Sequence, residues 1–138
     1  MPQVDINFFA VLLAAISAMI LGAAWYSPLL FGKKWIRLMN KSDEELNEMK
    51  KGMGKAYGVT FVGVIIMAYV LAYIIGLLEV GTVFAGVKTA FWVWLGFVAT
   101  TSLGGVLFEA RPRDLYFINN AYQLVSLVLM GIIIGVWV

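Results

Sequence analysis

The chain has 138 residues, 62% of them apolar or aromatic, with ten basic and eight acidic side chains and a formal net charge of +2. Soluble domains carry about 45–50% apolar and about 25% charged residues, and a chain this short leaves much of its surface exposed when folded. A charged fraction of 13% cannot cover that surface in water, which excludes an ordinary soluble monomer, a disordered chain and a disulfide-stapled secreted domain, and leaves an integral membrane protein.

A bilayer core of about 30 Å requires roughly 20 apolar helical residues to cross, and four stretches meet that length. The first runs from about Ile6 to Ser27 without a charge. The leader before it lacks the basic residues of a secretion signal, so the N-terminus is expected to remain as part of the first membrane helix. Ala10, Ala14, Ala18 and Gly22 recur every four residues along this span and give it one flat face for close helix packing. Pro28, which has no amide proton to continue the helical ladder, ends it.

Loop one, residues 28–55, follows. Its first part interleaves Leu30, Phe31, Trp35, Leu38 and Met39 with Lys33, Lys34 and Arg37, the pattern of a segment lying at a headgroup surface. Ser42 followed by Asp43, Glu44 and Glu45 then predicts a helix start, with a hydroxyl cap and acids in the first turn. A short amphipathic helix is expected from Asp43 to about Lys51, and the loop as a whole is a candidate surface for a cytoplasmic or membrane partner.

The second span is expected from about Ala56 to Leu78, the third from about Thr82 to Phe108 with Lys88 near its start, and the fourth from Leu115 to Val138. None shows the sustained alternation of a membrane β-strand. The fold class is therefore an all-α membrane protein, a four-helix bundle forming one domain over 1–138. Nine of the ten basic residues fall in loop one or in the link carrying Arg111 and Arg113. By the positive-inside rule these loops are cytoplasmic and both termini periplasmic or extracellular.

Two internal similarities suggest a parallel repeat of two helices plus two. Span one ends LGAAWYSP and span three LGGVLFEARP, and Ala56-Tyr57 and Ala121-Tyr122 open spans two and four.

Polar groups inside membrane spans are costly and mark candidate sites. They gather at the loop-one end: Glu109 closes span three, and Asn119, Asn120 and Gln123 open span four. Glu109, Asn119, Asn120, Gln123, Tyr57 and Tyr122 are the candidate lining of a polar pocket open to the cytoplasm. Histidine and cysteine are absent, which removes the commonest general base, thiol nucleophiles and most transition-metal sites. No phosphate-cradling loop is present and the basic residues are accounted for by topology, so catalysis, cofactors, metals and nucleic-acid binding are not expected.

The stretch GAAWYSPLLFG with Lys34 and Trp35 after it, and the later LFEARPRDLY with Asn119 and Tyr122 following, resemble the two signatures of domain-of-unknown-function family 1761, a group of small bacterial four-span membrane proteins. The resemblance covers nearly the whole chain and marks Trp25, Tyr26, Ser27, Pro28, Glu109, Arg111 and Pro112 as recognition positions. It implies a compact four-span protein of the bacterial inner membrane and assigns no catalytic or ligand-binding residue. Two functions are expected in the alternative. One is a non-catalytic membrane module that associates with lipid or a partner. The other is an oligomeric small transporter or channel with the Glu109 pocket at its mouth. A bundle this small has few interior positions, so assembly into a homo-oligomer is expected in either case.

Overall fold

The computed structural model describes residues 3–79 and 82–137, and every regular element among them is helical. Helix α1, Phe8–Trp25, starts where the Asn7 side chain accepts the amides of Phe9 and Ala10 at 3.0 and 3.2 Å. It ends two residues short of the expected limit. The amide and hydroxyl of Ser27 both turn back onto the carbonyl of Ala24, and Pro28 cannot extend the ladder.

Loop one contains two short helices. Helix α2, Gly32–Met39, stops at Asn40, whose φ of 51° is left-handed. Helix α3, Asp43–Lys51, is capped by the Ser42 hydroxyl, which accepts the Glu45 amide at 3.2 Å. Its acids sit in the first turn and Lys50 and Lys51 in the last, matching the helix dipole at both ends.

Helix α4, Met53–Leu77, forms the second span and starts directly after Gly52. The third span, Val83–Leu107, is continuous but not uniform. It comprises α5 (Val83–Val93), a π-helical stretch from Trp94 to Ala99, and α6 (Thr100–Leu107). Helix α7, Arg113–Val136, is the fourth span and begins directly after Pro112. Val138, the expected end of this span, lies outside the described residues. Among the described residues four helices are thus long and apolar enough to cross a membrane, and the chain is an all-α, multi-pass membrane protein.

Helix α7 lies between α1 and α5, and α1 packs on its other side against α4. The core is built from small and aliphatic residues: Ala14 and Ala18 of α1, Ala68, Leu71 and Ile75 of α4, Ala90 of α5, and Leu127, Met130 and Ile134 of α7. Large apolar side chains such as Ile20, Ile66, Phe84, Phe97 and Phe117 point outward, as a lipid-facing surface requires.

Two helix contacts are close enough to need glycine. A Cβ on Gly86 would collide with the carbonyl of Gly131, and one on Gly131 would collide with the carbonyl of Gly86, so α5 and α7 meet backbone to backbone. On α1, Ala10, Ala14 and Ala18 are buried, and Gly22 leaves the space that the Tyr122 hydroxyl occupies. Gly54, Gly58 and Gly63, by contrast, have open space where a Cβ would stand. The buried residues of α4 begin only at Ala68, and the loop-one half of this helix stands away from the bundle.

The paired sequence features occupy different surroundings. Tyr122 is half-buried and hydrogen-bonded to the carbonyl of Ala18 at 3.0 Å, whereas Tyr57 is 51% exposed. Trp25 is half-buried, whereas Phe108 is 89% exposed.

Candidate functional site

The loop-one end of the bundle is organised around the first half of α7. A π-helical stretch widens the turn and leaves backbone carbonyls without their usual amide partners. Here side chains also supply hydrogens. The hydroxyls of Thr100, Thr101 and Ser102 each donate four residues back, to Gly96, Phe97 and Val98, at 2.7 Å. The Tyr116 hydroxyl reaches across from α7 and donates to the carbonyl of Ala99 at 2.8 Å. Replacing Tyr116 with phenylalanine is expected to cost about 1 kcal/mol, read as a lower unfolding midpoint in detergent with the helix content unchanged.

In return, Trp94 of the π stretch donates its indole N–H to the carbonyl of Asn120 at 2.9 Å. From the opposite side, Trp25 donates its indole N–H to the carbonyl of Ile118 at 3.1 Å. Two indoles therefore grip carbonyls two residues apart on α7 from its two neighbours.

Between the third and fourth spans lies a polar cavity of about 280 Å³, lined by Thr101, Ser102, Glu109, Arg111, Tyr116, Asn119 and Asn120 among others. Its rim is the reversal after α6. The amide of Arg111 bonds to the carbonyl of Gly105 at 3.0 Å, Ala110 adopts a left-handed φ of 55°, and Arg111 pairs with Glu109 at 2.9 Å. Both partners are more than half exposed, so this pair contributes little to stability. Deeper in, Asn120 is 5% exposed. Its Nδ2 donates to the carbonyl of Tyr116 at 2.9 Å, while its Oδ1 has no hydrogen-bond partner among the described residues.

Beside the cavity stands an aromatic cluster. Tyr26 donates its hydroxyl to Asn119 Oδ1 at 2.7 Å and packs on Tyr122 and Trp35, and Trp25 packs on Phe31 with ring centres 4.9 Å apart. These contacts fold α2 back against the end of α1. Gly32 permits it, because a Cβ there would strike the backbone of Tyr26 and Ser27. Lys34 of α2 then reaches Asp114 at the start of α7, at 3.4 Å.

These features are the stretches around Trp25-Tyr26-Ser27-Pro28 and Glu109-Arg111-Pro112. The family model for a protein of unknown function, DUF1761, matches residues 9–135. The chain belongs to the DUF1761 family. No curated protein and no solved structure matches it. In this DUF1761 member both stretches have structural work: Trp25 and Tyr26 fasten α1 to α7, Pro28 closes α1, and the Glu109–Pro112 turn forms the rim of the cavity.

Of the candidate pocket residues, the structure brings Glu109, Asn119 and Asn120 to one cavity, together with Arg111. Tyr57, Gln123 and Tyr122 do not line it. Tyr57 projects from the free half of α4, Gln123 is half-buried one turn further along α7, and Tyr122 turns to α1. Trp94, Thr101 and Ser102 escape a reading of the sequence. The one available signal is the Thr-Thr-Ser run at 100–102 inside an apolar span. Among the described residues no group of His, Cys, Asp and Glu is placed to hold a metal ion.

A wider cleft of about 710 Å³ lies at the opposite end, with Asp5, Glu79 and Trp137 in its lining. Between the two, Ala14, Ala18, Leu71, Leu127 and Met130 are all 2% exposed or less.

Proposed function

We propose that the protein is a non-catalytic module of the bacterial inner membrane, oriented with loop one in the cytoplasm and both termini outside. Its α2 segment serves as a lipid-associating platform. The observation that carries this reading is the outward surface of α2 and of the three residues that precede it. Leu29, Leu30, Phe31 and Ile36 are exposed, by 93% in the case of Leu29, and lie beside Lys33 and Arg37. Helical spacing sets Lys33, Lys34 and Arg37 on one face, with Trp35, Ile36 and Met39 on the other. Apolar side chains at the level where a span ends, flanked by cations, suit the anionic leaflet of a bacterial membrane.

The transporter alternative draws support from the polar cavity at the loop-one end. Within one chain, the buried layer of Ala14, Ala18, Leu71 and Met130 among the described residues is apolar, with Ser126, one helical turn from Met130, as a buried polar side chain beside it.

The absence of cysteine makes single-site labelling direct. With Ile36→Cys carrying an environment-sensitive fluorophore, emission is expected to shift to the blue when phosphatidylglycerol is added to phosphatidylcholine nanodiscs. Adding Lys33→Glu and Arg37→Glu should remove the shift, since each cation contributes about 1 kcal/mol at an anionic surface. Emission indifferent to lipid charge overturns the reading. For orientation, a membrane-impermeant maleimide is expected to label Asp5→Cys in spheroplasts, and Lys41→Cys only after lysis.

A further inference from the structure

We infer that the lipid-facing side of α5 binds one anionic phospholipid, with its phosphate on Lys88 and its two acyl chains in the grooves on either side. The site lies at the end of the bundle opposite loop one, so it does not depend on the lipid-platform reading of α2.

Two open grooves of about 660 and 560 Å³ run along this face. Leu124 and Val128 of α7 form the far wall of the first, and Ile74 and Leu78, around the end of α4, form that of the second. Three residues line both grooves: Phe84, Lys88 and Trp92. They recur every four positions and therefore make one ridge along the helix, with a groove on each side. Apart from Lys88, the first groove is lined by apolar residues alone, and the second adds only Thr82 and Thr89.

Lys88 is the one charged residue between Thr82 and Leu107. It is exposed, and it stands about 8 Å along the helix axis from Val83, the first residue of α5. Its ammonium has no ion-pair or hydrogen-bond partner among the described residues. The two acids at this end of the bundle, Asp5 and Glu79, line the cleft between α1, α4 and α7 instead. A charge within a span must find a counter-charge or reach the interface. Helical side chains lean toward the N-terminus of their helix, which here is the membrane boundary at Thr82. The lysine stem thus climbs past Phe84 and delivers its ammonium to the headgroups.

A second copy of the chain suits this face poorly. Two copies joined here by a two-fold axis bring the same residues together, and two Lys88 ammonium groups would then meet at low dielectric constant. An anionic phospholipid supplies what the face lacks: a negative charge at the height of the ammonium, and two apolar chains below it, one for each groove. Phosphatidylcholine fits the grooves equally well, but its own choline cation neutralises its phosphate.

The test is photocrosslinking of the full chain in phosphatidylcholine nanodiscs. These carry a trace of phosphatidylglycerol or phosphatidylcholine with a diazirine in the acyl chains, and peptide mass spectrometry locates the modified residues. Phosphatidylglycerol is expected to mark both far walls, Ile74 to Leu78 and Leu124 to Val128. It should do so about fivefold more strongly than phosphatidylcholine, the ratio that one cation beside an anionic lipid supports. Lys88→Gln should bring the two probes level, and Lys88→Arg should keep the preference. Both variants leave the core intact, since Lys88 is exposed. Unlabelled phosphatidylglycerol should compete at both walls, and its single-chain lyso form less well. Labelling around α2 is read from different peptides and should not change in Lys88→Gln. The inference is overturned if the two probes mark the walls equally in the unaltered protein, as a lysine that only reaches water predicts. It is equally overturned if Lys88→Gln keeps the preference, if only one wall is marked, or if the lyso form competes as well as the two-chain lipid. Walls closed to both probes, the result of a second copy seated on this face, overturn it too.

Discussion

Replacing Gly131 with alanine is expected to destabilise the bundle by about 1–3 kcal/mol, and Gly86→Val by more, because overfilling a close contact forces the backbone apart. At this crossing each glycine faces the other's carbonyl, and the methyl of Ala90 lies 3.2 Å from where a Cβ on Gly131 would stand. No side chain can rotate aside, since the obstacle on each helix is main chain. Lipid supplies little hydrophobic drive for helix association, so losing close packing is felt almost in full. The measurement is the unfolding midpoint in detergent, by temperature-ramped fluorescence or by titration with a denaturing detergent. Gly58→Ala is the control. A Cβ there meets nothing within 4 Å, and alanine is the better helix former by up to about 1 kcal/mol. Gly58→Ala should therefore leave the midpoint unchanged or raise it. Equal losses at positions 58 and 131 would show that the backbone contact between α5 and α7 does not hold the bundle together.

The second large effect belongs to Trp25. Trp25→Ala is expected to lose about 2–3 kcal/mol, somewhat less than the 3–5 kcal/mol of a fully buried tryptophan, because the ring is only half-buried. Three contacts go at once: the indole bond to the Ile118 carbonyl, the packing on Phe31, and the edge of Tyr122. Phe31 directly precedes α2, so the platform should lose its attachment to α1 together with the stability. Trp25→Phe keeps the aromatic surface and removes only the hydrogen bond, and is expected to cost about 1 kcal/mol. A fluorophore at Ile36→Cys separates the two effects: its anisotropy should fall sharply in Trp25→Ala and little in Trp25→Phe. Were both variants to leave the label equally restrained, the aromatic cluster would not be what positions α2.

The elements most legible in the sequence are those in which a single local force dominates. Four apolar stretches of spanning length are visible from hydropathy alone, because helix is the economical way to satisfy backbone groups in lipid. Ser42 announces its helix through a side chain that caps the first turn, and Pro28 marks a helix end, whereas Asn7, inside the span expected from Ile6, is shown as a cap only by the structure. Half of the candidate pocket was equally legible. Glu109, Asn119 and Asn120 stand out because polar groups are rare in these spans and lie close together in sequence around one turn.

The rest depended on rotation and distance. Tyr57 and Tyr122 follow the same dipeptide pattern, yet one projects from the free half of α4 while the other inserts beside Gly22. No local property separates them. What differs is the neighbour each helix face meets. The π-helical stretch from Trp94 to Ala99 is likewise invisible in an apolar run, since its carbonyls are satisfied by Thr101, Ser102 and a tyrosine 17 residues beyond Ala99. Gly86 and Gly131 read as two among fourteen glycines until their helices cross.

By itself, then, the sequence determined the class of solvent, the number of spans and the end of the bundle where polar groups collect. Composition, apolar run length and charge placement act through the bilayer and need no partner. Only the tertiary structure decided which small residues touch, which aromatics fasten loop one to the spans, and which polar atom is left unpaired. Each of these is set by the angular phase of one helix against another, and a rotation of about one residue step, roughly 100°, exchanges a buried acceptor such as Asn120 Oδ1 for an ordinary lipid-facing or solvated group.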